Sequence, residues 1–167
     1  METLRTKYPL ENRKPLKKTL SRVWSIFVIV FFFVVYILLI TGGDSTLFFL
    51  RMWLVLILAA LFILIFTGSY IYEIFYMKYY FYDLVGKTVV IKKGLFSVKE
   101  ISLPFNRLQD VYIDQDVLDR VFGLYDVHVS SATWVSGELS HIDGLNKNNS
   151  EILKKLLLNS IHKNGEK

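Results

Sequence analysis

The 167-residue chain has no cysteine, which excludes disulfides, thiolate metal ligands and a lipid-modified cysteine anchor, and leaves the redox compartment undecided. It also lacks a His-Glu helix motif, a glycine-rich phosphate loop and a serine elbow, so nothing in it assembles enzymatic chemistry. The three histidines, His128, His141 and His162, are far apart. Two of them meeting across a sheet is the one route to a metal, and inert surface histidines are the commoner outcome. No catalytic residue, cofactor or metal is expected.

Charge is missing from two stretches, Trp24 to Ile40 and Met52 to Tyr72. At ~1.5 Å per helical residue, roughly 17–21 residues cross most or all of a ~30 Å hydrocarbon core. The first run exceeds the core of a secretory signal, no small-x-small cleavage pattern follows it, and a second run arrives at once. Both are therefore expected to span a membrane, as a helical hairpin over 24–76 with spans at about 24–40 and 52–72. Arg51 and Glu73 lie at span ends, where they reach water, so transport through these helices is not expected.

What is present ahead of the first span is positive charge. Arg5, Lys7, Arg13, Lys14, Lys17, Lys18 and Arg22 are opposed only by Glu2 and Glu11, whereas the connector from Thr41 to Arg51 carries one base and one acid. The asymmetry places both termini on the cytoplasmic side. Residues 1–23 then form a basic cytoplasmic segment that accounts for the net charge of +5. Topology and attraction to anionic headgroups explain that surplus, and a nucleic-acid partner, which calls for charge on the folded domain, is not expected. Phe48, Phe49 and Trp53 at one boundary, and Tyr70, Tyr72, Phe75, Tyr76, Tyr79 and Tyr80 at the other, match interfacial aromatic belts.

From about Tyr79 the pattern changes to alternation with turn signals, marking a small domain over 79–163. Thr88 to Lys93, Val98 to Leu103, Leu108 to Asp114 and Tyr125 to Ser130 read as strands, with weaker ones at Phe81 to Leu84, Thr133 to Val135 and Glu138 to Asp143. So many short strands favour an antiparallel sheet that curls to hide its edges. In the tail, Ile152, Leu153, Leu156, Leu157 and Ile161 recur at helical spacing behind a capping box of Asn148 and Glu151, which predicts a helix over about 150–162.

The run Leu103-Pro104, Arg107-Leu108-Gln109, Val111, Gln115, Leu118, Arg120, Gly123-Leu124, Val127 and Ser130-Ser131-Ala132, with Tyr82-Asp83-Leu84 and Lys93-Gly94-Leu95-Phe96 ahead of it, resembles the bacterial pleckstrin-homology (PH-like) domain family. It resembles in particular the short YdbS-like membrane proteins, in which two transmembrane helices precede one such domain. The resemblance implies a membrane-anchored α+β protein: two spans, then a curled antiparallel sheet of about seven strands capped by a C-terminal helix. It brings no catalytic residues. Some members occur beside a larger membrane protein bearing several copies of the domain, and an assembly role is the usual inference.

Within the motif, Asp116 and Asp119 suit the cap and third position of a single helical turn, with Gly123 as its left-handed exit. A calcium loop built on Asp114, Asp116 and Asp119 fails, because Asp119 stands where glycine is needed and Tyr125 where glutamate is needed. Arg107 and Arg120 are the candidate interaction residues, able either to pair with nearby carboxylates or to clamp a partner's phosphate or carboxylate. Lys92, Lys93 and Lys99 surround the first hairpin. Eukaryotic relatives in fold hold inositol phosphates with basic residues there, although lysines also protect exposed strand edges.

The expected function is a non-enzymatic scaffold in a bacterial plasma membrane, assembling as a homo-oligomer or with a partner membrane protein that carries PH-like domains. The alternative is a sensor of anionic lipid headgroups using Lys92, Lys93 and Lys99.

Overall fold

The computed structural model describes residues 3–40, 48–131 and 140–165. The chain divides into two units, Met1–Lys17 with Ile74–Lys167, and Lys18–Glu73.

Two long helices, α2 (Lys14–Ile40) and α3 (Phe48–Tyr79), supply the second unit. Their 27 and 32 residues correspond to about 40 and 48 Å. Both are long and apolar enough to cross a membrane. Their large side chains point outward, Leu39 at 77 % exposure and Leu64 at 69 %, unlike a core helix of a soluble domain. Phe27 and Phe62 meet at 5.7 Å between ring centroids. Arg22 pairs with the buried carboxylate of Glu73 and lies 5.0 Å over the Tyr72 ring, so the acid at the end of the second span is neutralised by a base on the other helix.

The first unit holds a short helix α1 (Leu4–Lys7), six strands among the described residues, a helical turn α4 (Val117–Phe122) and a C-terminal helix α5 (Lys147–Gly165). Strands β1 (Phe81–Val85), β2 (Thr88–Lys93) and β3 (Lys99–Pro104) form one antiparallel sheet, with Tyr82 opposite Ile91 and Ile91 opposite Ile101. Strands β4 (Leu108–Asp114), β5 (Tyr125–Ser131) and β6 (His141–Leu145) form another, with bulges at Leu108/Asp110 and Tyr125/Val127. The expected single sheet of about seven strands is thus corrected, among the described residues, to two sheets of three. Pro104 has no N–H to give, and the 3-10 turn Phe105–Arg107 that follows it interrupts the ladder between β3 and β4. The strand expected at Thr133 to Val135 lies outside the described residues.

One core joins both sheets to α5: Tyr82, Ile91, Leu103, Phe105, Val111, Val127 and Ile142 pack with Leu153 and Leu157. The helix begins earlier than its expected capping box. Asn146 caps it, accepting the Asn149 N–H at 2.8 Å, so Asn148 and Glu151 lie inside the helix. Around α4 the expectation holds: Asp116 and Asp119 form a reciprocal capping box, and Gly123 exits at φ 67°.

Candidate functional site

The sequence-derived candidates fall in three places. Lys92 and Lys93 are consecutive on β2, so strand alternation sends them to opposite faces. Lys92 forms a cross-strand ion pair with Glu100 at 3.0 Å, both side chains being partly exposed. Lys93 is only 6 % exposed, its ammonium 5.4 Å above the Tyr80 ring. Lys99 stands opposite Lys93 in register and is exposed. The hairpin therefore presents two lysines to solvent and turns the third inward.

Arg107 closes the 3-10 turn and Arg120 sits on α4, both exposed. The seven residues of β4 lie between them, a rise of about 20 Å, so the structure does not bring them together. Neither makes an ion pair among the described residues. Arg120 is flanked by Val117 and Val121, exposed by 78 % and 73 %.

The acids near these arginines are instead occupied from the N-terminus, by residues the sequence had marked only as basic charge. Lys17 Nζ lies 2.8 Å from Asp116 Oδ2 and 2.9 Å from Asp119 Oδ2. Lys14 Nζ lies 3.0 Å from Asp143 Oδ1, with both side chains nearly inaccessible, and 4.1 Å over the Tyr80 ring. The Lys14 stem runs along β6 at Gly144, where a Cβ would come within 2.6 Å of Lys14 Cδ. Backbone bonds extend the docking: Glu11 N–H donates to the Gly144 carbonyl at 2.8 Å, Leu4 N–H to Asp83 Oδ1 at 3.0 Å, and the Tyr82 hydroxyl to the Tyr8 carbonyl. Arg5 donates to the carbonyls of Tyr80 and Met77. Residues 4–17 are thus a strap built into the domain, its own Tyr8 and Leu10 side chains buried.

Electrostatics follow from this packing. Burial pulls the Lys17 ammonium down, but the hydrogen bonds it donates to Asp116 and Asp119 outweigh this and hold it above its ordinary value. Burial pushes Asp116 up, and the Lys17 hydrogen bond reverses that to a net lowering. Asp126, whose Oδ1 accepts the Gly144 N–H at 2.8 Å, is raised to about 6 by burial first and by the charge of Asp143 second. Burial lifts the Tyr82 phenol to about 12. Lys14 and Lys17 share one side of a helical turn, and Asp143 interrupts the apolar run of β6. Those two sequence features were the available signal for this cluster.

His128 and His141 do meet across β5 and β6, with ring centroids 5.2 Å apart, and Tyr112 stacks on His128 at 4.9 Å. Burial holds His128 below its usual value. Among the described residues no group of three or more histidines and carboxylates is placed to hold a metal. The His162 side chain lies outside the described residues.

Two three-stranded antiparallel sheets packed on a C-terminal helix, behind two long apolar helices, define a PH-like α+β protein. A family model described as bacterial PH domain matches residues 25–161, and the chain belongs to that family. No curated protein matches the chain, and no solved structure does.

Proposed function

We propose that this protein is a non-enzymatic scaffold: a two-helix anchor in a bacterial plasma membrane, both termini cytoplasmic, that holds its PH-like domain at the membrane face to assemble with itself or with a partner membrane protein bearing such domains. The YdbS-like arrangement belongs to the same reading. The observation that carries it is the absence of a linker. Lys14 both starts α2 and is locked inside the domain, and Tyr80 alone separates α3 from β1. Chain continuity at two points with so few intervening residues supports a domain tethered close to its anchor. The outward apolar surface of both helices supports lipid as their solvent. Membership of a family that is in general a non-catalytic interaction domain supports the scaffold class.

In-membrane crosslinking of the intact chain, followed by purification, is expected to yield a defined oligomer or a complex with a second membrane protein. Recovery of monomer alone would count against assembly. The headgroup-sensor alternative is less well supported in its original form, since Lys93 is buried and Lys92 is paired with Glu100.

A further inference from the structure

Strand β4 turns Asp110, Tyr112 and Asp114 to one face, all three exposed, while Val111 packs into the core on the other. The strand is an edge of its sheet, with β5 on one side only among the described residues. Tyr112 stands opposite His128 in register, and the two rings stack within 3° of parallel. His128 thus covers one side of the phenol ring. The other side faces away from β5, and Tyr112 is 47 % exposed. The two carboxylates sit about 7 Å up and down the strand from it. Each spends one oxygen on the next backbone N–H, Asp110 Oδ1 on Val111 and Asp114 Oδ1 on Gln115, both at 2.7 Å. Neither is ion-paired among the described residues.

An open aromatic ring between two carboxylates is best matched by a guanidinium. It is flat and cationic, stacks on aromatic rings and forks hydrogen bonds to carboxylates, whereas an ammonium is a compact, strongly hydrated point charge.

The chain itself carries that complement. On α4, which follows β4 directly, Arg120 is exposed and makes no ion pair among the described residues. It is flanked by Val117 and Val121, at 78 % and 73 % exposure, which lie one helical turn apart and form a short apolar strip. Arg107, at the other end of β4, has exposed Asn106 and Gln109 beside it and no such strip. Receptor and guest on adjoining elements of one chain make a self-complementary surface, which is what a two-fold contact requires.

We propose that two copies of this chain dock through β4 and α4 about a two-fold axis: Arg120 of each copy lies on the Tyr112 ring of the other, between Asp110 and Asp114, and Val117 and Val121 meet their counterparts at the axis. The proposal rests on the self-assembly reading above and names its surface. The patch is small beside the roughly 1,200–2,000 Å² of a stable soluble complex. Copies anchored in one membrane meet at a raised effective concentration, which lets a small contact hold.

Because the chain has no cysteine, Val121→Cys in the full-length protein places a single thiol at the proposed axis, and a short bismaleimide applied to membranes is expected to link most of the chain into dimers. Adding Arg120→Glu, or Asp110→Arg with Asp114→Arg, is expected to lower the linked fraction several-fold, because like charges then meet. Coexpressed with different epitope tags, these two variants are expected to link to each other at the parent level and not to themselves: the new acid of one meets the new bases of the other, and the second half of the contact is native. That restoration also shows that both variants fold. Retention of the parent level by Arg120→Glu alone would overturn the proposal, as would loss in both variants without restoration in the mixture. A lysine-reactive crosslinker reports contact through any face and so separates this surface from assembly as such. Oligomers, or a complex with a different membrane protein, formed with that reagent but without a thiol-linked dimer would overturn the surface and leave the scaffold standing. Monomer with both reagents would overturn both.

Discussion

Lysines serve opposite purposes in two regions of this molecule. Lys14 and Lys17, in a segment whose composition suggests free basic charge beneath a membrane, are withdrawn into the domain and matched to Asp143, Asp116 and Asp119. Lys92 and Lys99, in the β2–β3 hairpin, stay at the surface, and Lys92 is paired with a partly exposed Glu100. The difference is one of solvent. A charge that leaves water needs a matched counter-charge and becomes structural, while a charge left in water is screened and available.

That contrast is broken most sharply at Lys17. Lys17→Met keeps the aliphatic stem but leaves Asp119 buried without its cation, and removing one partner of a buried pair costs about 3–5 kcal/mol. Urea unfolding of the full-length protein in detergent, followed by hydrogen exchange of β4 and β5 amides, is expected to show a loss of that order. A change below about 1 kcal/mol would mean that the strap contributes little to the domain.

The same contrast explains what was legible in the sequence. Strands β1 to β5 and α5 were visible because apolar residues repeat with period two and then at helical spacing, and the cap at Asp116 was visible because capping chemistry is local. The strap was not. Pairing Lys17 with Asp119 links positions 102 apart in the chain, and no periodicity encodes a contact of that range. Arg22 with Glu73 escaped notice likewise, each charge being explicable alone by its place at a span end. The break between the sheets was half visible: Pro104 marked the end of a strand, but not that its successor would pair elsewhere.

Next in size is the steric half of the docking. Gly144 has φ 83° and its missing Cβ faces the Lys14 stem. Gly144→Ala places a side chain in left-handed backbone, at about 1–2 kcal/mol, and displaces Lys14 from Asp143. If the two effects share one contact, Gly144→Ala and Lys14→Met combine less than additively in a double-mutant cycle. Additivity would separate the glycine from the strap.

Asp126 gives a smaller effect with a sign that pH reveals. Its folded value of about 6 lies above the ordinary 3.8, so the stability it contributes is fully present below about pH 4 and is lost as pH rises through about 6. Asp126→Asn keeps an acceptor for the Gly144 N–H and removes the charge beside Asp143. The variant is expected to be more stable than the parent by about 1–2 kcal/mol at pH 7.5, with the difference vanishing near pH 4. A variant less stable at pH 7.5 would show that Lys14 and Lys17 need this fourth carboxylate as counter-charge.

Lys92→Met should produce the smallest change, and its size tests the comparison itself. The ion pair with Glu100 holds two partly exposed side chains on neighbouring strands, a geometry worth about 0–1 kcal/mol and weakened by salt. Unfolding in detergent is therefore expected to differ from the parent by less than that, and less still at high ionic strength. A loss as large as that of Lys17→Met would place Lys92 among the structural lysines.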